Sequence, residues 1–342
     1  MSHDTSTDAL TAPPPARRKR AFPLLAMVKR STGWQRVMLV AGLTIVTLFI
    51  LTAVFASVIA PYGFAQTGDE AGPFGTQQPP SGRNWLGTTV SGFDVASRVV
   101  WGTQTALMVI IIAVIASAIA GVMIGLISGY IGGWLDRIIV VVADAIYAFP
   151  SLLLAIVMSI VISGGQSSLW GGVLAAALSI TVVFIPQYFR VVRSEVVRVK
   201  NEPFVEAAKV VGASHWRVMF KHILRNSIRT LPVIITLNAS EAILTLAGLG
   251  FLGFGIEPTK AAELGYDLNR SVADVTSGIW WTSIFPGVAI VLIVLGVTLV
   301  GESLNDLADP RLRGRQAAAV SGGGQAGDVV VETNDNPDED LS

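Results

Sequence analysis

Two carboxylates stand where a carboxylate is costly: Asp144 in VVVADAIYAFP and Glu241 in LNASEAILTL, each inside a long apolar run. On insertion scales a charge at the centre of a bilayer costs roughly 2.5–3.5 kcal/mol, so each needs a partner, water or a proton. Asp144 lies near one end of its run, where an arginine such as Arg137 or the headgroup layer can answer it. Glu241 lies deeper and is a candidate for a buried polar contact or a watered path. Familiar catalytic constellations are missing. Cysteine is absent, which excludes a disulfide framework, a thiolate metal site and a thiol nucleophile. His3, His215 and His222 all fall outside the apolar runs, and the chain contains no P-loop, HExxH or GxSxG pattern. No catalytic residue and no metal site is therefore assigned.

A third pattern suits recognition rather than catalysis: NEPFVEAAKVVGASHWRVMFKHILRN, residues 201–226. Asn201 or Glu202 can cap a helix start, and Pro203 fits a first turn, whose N–H has no intrahelical partner. Glu206, Ala207 and Ala208 then leave one face flat, and Gly212 is the residue type that best follows a helix end. A second helix is expected from about Ser214 to Leu224, with Trp216, Met219, Phe220 and Ile223 on one side and Arg217, Lys221 and Arg225 on the other. By composition alone such a segment also suits a helix resting on headgroups.

The surrounding elements are apolar. Only 14% of the 342 residues are charged, and the mean hydropathy of +0.61 indicates an integral membrane protein. The formal net charge of +0 conceals a basic beginning and an acidic end. Spans are expected at Val37 to Ala60, Gln104 to Tyr130, Ile138 to Ser163 (holding Asp144 and Pro150), Leu169 to Phe189, Thr230 to Gly255 (holding Glu241) and Gly278 to Gly301 (behind a Trp280 and Trp281 belt). The first is too long for a signal-peptide core and no cleavage pattern follows. An interfacial helix, Asp94 to Trp101, is expected before the second span. Residues 190–229 carry about nine Lys or Arg against three Glu, the excess expected of a cytoplasmic loop. Both termini then lie inside, with Pro61 to Val100, GGQSS and Glu257 to Ser277 outside. Gly125, Gly129, Gly132 and Gly133 read as packing and turn residues. The division is 1–34, a basic segment without order; 35–100, first span and outside loop; 101–314, the membrane core, with the helix pair at 201–226; and 315–342, an acidic segment without order.

With this topology, Glu206-Ala207-Ala208 followed by Gly212 in a loop two spans before the end resembles the EAA loop of ABC importer permeases. WLGT, FDVASRVVWG, GLISGYIGGWLDR, AFPSLLLAI, GFLGFGIEP and DLADPRLR resemble segments of the second permease subunit of dipeptide, oligopeptide and nickel importers, over about residues 35–314. The resemblance implies an all-α membrane protein of the type I ABC importer permease fold: six transmembrane helices and a cytoplasmic coupling-helix loop. Glu206, Ala207, Ala208, Gly212, Ala213 and Ser214 would couple to the ATPase. Asp144 and Glu241 would be buried polar or path-lining groups. The implied partners are a second homologous permease, one or two cytoplasmic ABC ATPase subunits, an extracytoplasmic binding protein and the lipid bilayer of a bacterial inner membrane, with no nucleic acid. ATP and Mg would sit on the ATPases, leaving this chain without a cofactor. Di- or oligopeptides are the expected cargo, with nickel chelates or another small polar solute as the alternative. An ATPase-independent carrier would instead show inverted repeats or several charged residues along the spans. The chain departs from the pattern at Phe93, where Arg is usual, at Arg225, where Pro is frequent, at AAELGYDL, which replaces a PSWG segment, and at Leu246, where an acidic residue is frequent.

Overall fold

The structure is a computed structural model that describes residues 33–163 and 169–308. The two terminal segments expected to lack order, apart from Gly33 and Trp34, and the GGQSS turn lie outside those residues. The chain runs α1 (Gly33–Val54), α2 (Ala56–Ile59), a two-stranded antiparallel ribbon of β1 (Gly68–Asp69) and β2 (Gly72–Pro73), α3 (Val95–Ile131), α4 (Gly133–Ala148), α5 (Ser151–Ser163) and α6 (Leu169–Val199). It continues through α7 (Pro203–Val210), α8 (His215–Arg217), a π-helical turn (Val218–Ile223), α9 (Leu224–Ser227), α10 (Leu231–Phe251), α11 (Leu264–Arg270), α12 (Val272–Thr276) and α13 (Trp281–Ala308).

Among the described residues, five helices are long and apolar enough to cross a membrane: α1, α3, α6, α10 and α13. The expected third span is different, because α4 and α5 meet at a 100° bend, so the total reaches six only if that pair counts as one span. Pro150 is the cause. It donates no N–H and pushes its predecessor out of the helical region, and Phe149 is accordingly extended at φ −80°, ψ 141°.

Other boundaries shift for equally local reasons. The first span breaks at Phe55 instead of running unbroken to Ala60. No separate interfacial helix forms at Asp94 to Trp101. Asp94 caps α3, accepting from the Ser97 N–H, and those residues are its first turns. The expected fourth span does not stop at Phe189; α6 continues to Val199.

The bundle is held at its centre by α3 and α6, which share the longest helix–helix contact. Gly121, Gly125 and Gly129 make that approach possible. A Cβ on Gly125 would lie 2.9 Å from the Phe189 carbonyl oxygen, and one on Gly129 would lie 2.9 Å from Val196. This is the small-residue stripe that membrane helices use when apolar burial gives no drive to associate. Gly132 and Gly133 adopt φ +70° and +68°, turning α3 into α4.

The loop between α10 and α13, expected outside, is closely packed. Arg98 spans the gap with its guanidinium bidentate on Asp267 (2.7–3.2 Å) and Nη1 donating to the carbonyls of Phe64 and Pro258. Glu263 caps α11 by accepting from the N–H groups of Gly265 and Tyr266, and a Cβ on Gly250 would collide with its carboxylate. That loop and residues 60–98 form one cap over one end of the bundle, and α7 to α9 project at the other.

Candidate functional site

At the end of the molecule away from the cap, Pro203 opens α7 with Glu202 at the N-cap position, although neither Glu202 nor Asn201 supplies the capping bond the sequence suggests. Val205 is fully buried and anchors the helix, while Glu206 and Ala207 are exposed and Ala208 is half-buried. The helix closes by two bonds, Gly212 N–H to Lys209 O and Ala213 N–H to Ala208 O. This double closure needs a left-handed residue between them, and Gly212 supplies it at φ +83°. Ser214 then caps α8 by accepting from the Arg217 N–H. Glu206, Ala207, Ala208, Gly212, Ala213 and Ser214 thus fall on one continuous helix–turn–helix.

The second helix departs from the expected regular form. A π-helical turn at Val218–Ile223 inserts into it, and the helix extends to Ser227 rather than ending near Leu224. Val218, Met219 and Ile223 are buried, whereas Trp216 stacks on Phe220 (centroids 5.4 Å apart) and remains 66% exposed. Val210 and Val211 are each 87% exposed. The element therefore has a buried root and an apolar tip, the form of a docking surface.

A second polar feature lies at the α4–α5 bend. Asp144 does not pair with Arg137; Arg190 Nη2 donates to its Oδ1 at 2.7 Å, and the Arg190 guanidinium lies 4.4 Å from the Tyr147 ring centroid. Both partners are substantially exposed, so the pair adds little stability. Beside it is a cavity of about 170 Å³ whose polar lining comes from Tyr147, Ser151, Gln187 and Glu241. Among the described residues the Glu241 carboxylate makes no hydrogen bond or ion pair, but this cavity can hold several waters against it. Leu246, five residues on and so about 140° round the helix from Glu241, is buried in the apolar core.

Sequence reasoning named Asp144 and Glu241 but missed Arg190, Tyr147, Gln187 and Ser151. Arg190 stands one residue beyond the expected end of the fourth span, which was the available signal. The bend, and with it the meeting of α4, α6 and α10, is tertiary. Arg98, within the expected interfacial helix, and Glu263 and Asp267, within the expected outside loop, were also passed over.

Residues 121–314 match the family described as "Binding-protein-dependent transport system inner membrane component". The chain is 39% identical over 315 residues to the dipeptide transport system permease protein of Escherichia coli K12, covering 92% of this chain and 100% of that one. It is 37% identical over 274 residues to the dipeptide transport system permease protein of Alkalihalophilus pseudofirmus, covering 80% and 86%. It is 37% identical over 280 residues to the glutathione transport system permease protein of Salmonella paratyphi A, covering 82% and 88%. The matched region contains the bundle, the bend and the helix–turn–helix together, and the chain belongs to the family of binding-protein-dependent transport system inner membrane components.

Proposed function

We propose that this chain is one half of a heterodimeric pore in an ATP-driven importer of di- or oligopeptides, and that α7 to α9 couple it to a cytoplasmic ATPase. The carrying observation is the helix–turn–helix with buried anchors at Val205, Val218 and Ile223 and an exposed apolar tip at Val210, Val211 and Trp216. Rigidly rooted and apolar at its end, it can dock in a groove and pass a rigid-body motion to the spans. Glu206 orients the docking face, and Gly212 to Ser214 set the angle between its helices. ATP and Mg belong to the ATPases, so this chain carries out no bond-breaking step. Asp144 with Arg190, and Glu241 in its polar cavity, line the path or its border with the second permease subunit. Cargo arrives from an extracytoplasmic binding protein. The peptide reading is supported by relatives named for dipeptide and glutathione transport, glutathione being itself a peptide.

The coupling role is tested at Gly212. A β-branched side chain at φ +83° is strained by about 1–3 kcal/mol. Gly212→Val is expected to insert into the membrane normally and lose peptide uptake and substrate-stimulated ATP hydrolysis in the copurified complex. Normal uptake and stimulation in that variant would sink the assignment. Cargo is tested separately, by supplying essential amino acids only as short peptides to a deletion strain lacking redundant importers, where undiminished growth would exclude peptides.

A further inference from the structure

The span α6 enters the helix–turn–helix and α10 leaves it by chain continuity, so both must follow when that element moves. The central helix α3 has no such tie. Its carboxyl end faces the element across a cavity of about 700 Å³ bordered by Ile127, Ile131 and Lys209, and packing there is sparse beside its long contact with α6. Among the described residues, two polar bonds join that end of α3 to residues 200–227. The Tyr130 hydroxyl and His215 Nδ1 lie 2.7 Å apart, the hydroxyl donating when Nε2 holds the ring proton, and the two rings meet edge to face at 6.0 Å. Lys200 Nζ donates to the Gly129 carbonyl at 2.8 Å. That carbonyl lies in the last turn of α3, where a helix leaves its acceptors without partners of its own. Lys200 stands just before α7 and His215 opens α8, so the end of α3 is held at the root of one helix and the start of the next.

The other end of α3 is fastened as well. Arg98, in its first turn, is bidentate on Asp267 of α11, a geometry that fixes orientation as well as distance. From Arg98 to Tyr130 the helix extends about 48 Å at 1.5 Å per residue, from the cap to the helix–turn–helix. Between these joints the glycine stripe sets how near α3 and α6 lie. Glycine offers no side chain to resist sliding, the shear by which packed helices move past each other. The bonds at the two ends supply that resistance.

Resting on the coupling role proposed above for α7 to α9, we propose that α3 is the rod that carries motion between the helix–turn–helix and the cap, with Tyr130 and His215 as the positioning residues that make it follow when the ATPases close. Closure then moves the cap as well as the spans joined to the element in sequence. Linked equilibria are reciprocal, so a partner seated on the cap biases closure of the ATPases through the same helix.

The test uses the copurified importer complex in proteoliposomes with its binding protein, and reads peptide taken up per ATP hydrolysed. Tyr130→Phe keeps the ring contact and removes the hydroxyl. It is expected to leave hydrolysis without binding protein at the native rate and to lower peptide per ATP roughly fivefold, the factor by which one hydrogen bond of ordinary net strength weights an equilibrium. His215→Phe should lower the ratio equally, and the double variant no further, because each change removes the same bond. His215→Asn, whose side-chain oxygen can accept from the Tyr130 hydroxyl, should restore most of the native ratio. A space-filling role would give the opposite order, since Phe replaces the ring better than Asn does. A native ratio in Tyr130→Phe, additive losses in the double variant, or His215→Phe outperforming His215→Asn would each overturn the proposal. If the Tyr130→Phe complex does not assemble, Lys200→Met with Lys200→Arg as its rescue makes the same comparison at the second bond, and a native ratio in Lys200→Met overturns it. Gly212→Val separates the two levels: if it uncouples the complex and Tyr130→Phe does not, the role of α3 alone falls, whereas if it stays coupled the reading beneath falls too.

Discussion

Arg98 is 2% exposed and its guanidinium is filled by Asp267 on one edge and two backbone carbonyls on another. Phe93, where the resemblance leads one to expect Arg, lies 5.1 Å from that guanidinium and covers its face, so a second cation there would have met like charge. Removing one partner of a buried, fully bonded pair strands the other, at about 3–5 kcal/mol. Arg98→Ala is therefore expected to lower the melting temperature of the purified complex sharply, and Arg98→Ala with Asp267→Ala to cost less than the two single losses summed. Additive losses would show that the two residues act independently. Glu263 gives a pH dependence of definite sign. Burial raises its carboxyl to about 7, against the two backbone N–H groups that favour the charge. A carboxyl raised in the folded state binds its proton more tightly there than in the unfolded chain. Its contribution is full below the ordinary value of 4.5 and is lost as pH rises toward about 7. Intrinsic-rate-corrected hydrogen exchange in residues 257–277 should accordingly quicken from pH 5 to pH 8, and Glu263→Gln should flatten that response.

At the scale of elements, the glycine stripe of α3 sets how close α6 can come, and no lateral adjustment of one side chain replaces it. A Cβ on Gly125 meets backbone atoms of α6 at Phe189 and Arg193 rather than a flexible side-chain end. Gly125→Leu should thus force the two longest packed helices apart, leaving the chain inserted but sensitive to proteolysis and inactive in uptake. Wild-type protease resistance would show that α3 and α6 tolerate separation. The α4–α5 bend belongs to this scale as well. Pro150 was visible in the sequence, but a proline in a membrane helix can kink it mildly when neighbours satisfy the freed groups. Here α5 packs against α6 and α10, which turns the kink into a corner. The π-turn at Val218–Ile223 had no sequence signal; it accommodates the burial of Val218, Met219 and Ile223 while Trp216 stays out.

For the whole molecule, the excess of Lys and Arg around α7 to α9 supports the orientation we propose, with that segment inside and the cap outside. The chain lacks cysteine, so single cysteines report cleanly. In intact cells Gln78→Cys in the cap is expected to react with an impermeant thiol reagent, and Ser194→Cys near the end of α6 to stay unlabelled until the membrane is opened. The reverse pattern would invert the molecule. Apolar run length, Lys and Arg placement, and the Glu206 to Ser214 pattern are properties of adjacent residues, and for that reason the class of protein, most span positions and the helix–turn–helix with its Gly212 hinge were legible from the chain alone. Tertiary structure decided what depends on residues far apart in sequence. Arg190 reaches Asp144 across 46 positions, and Arg98 reaches Asp267 across 169. Glu241 shares a cavity with Gln187 and Ser151 because α4 and α5 turn a corner beside α6 and α10. Local pattern fixes how a segment lies in a bilayer, because each residue there answers to lipid or water; which polar group meets which is set by helix packing, and one-dimensional spacing holds no record of it.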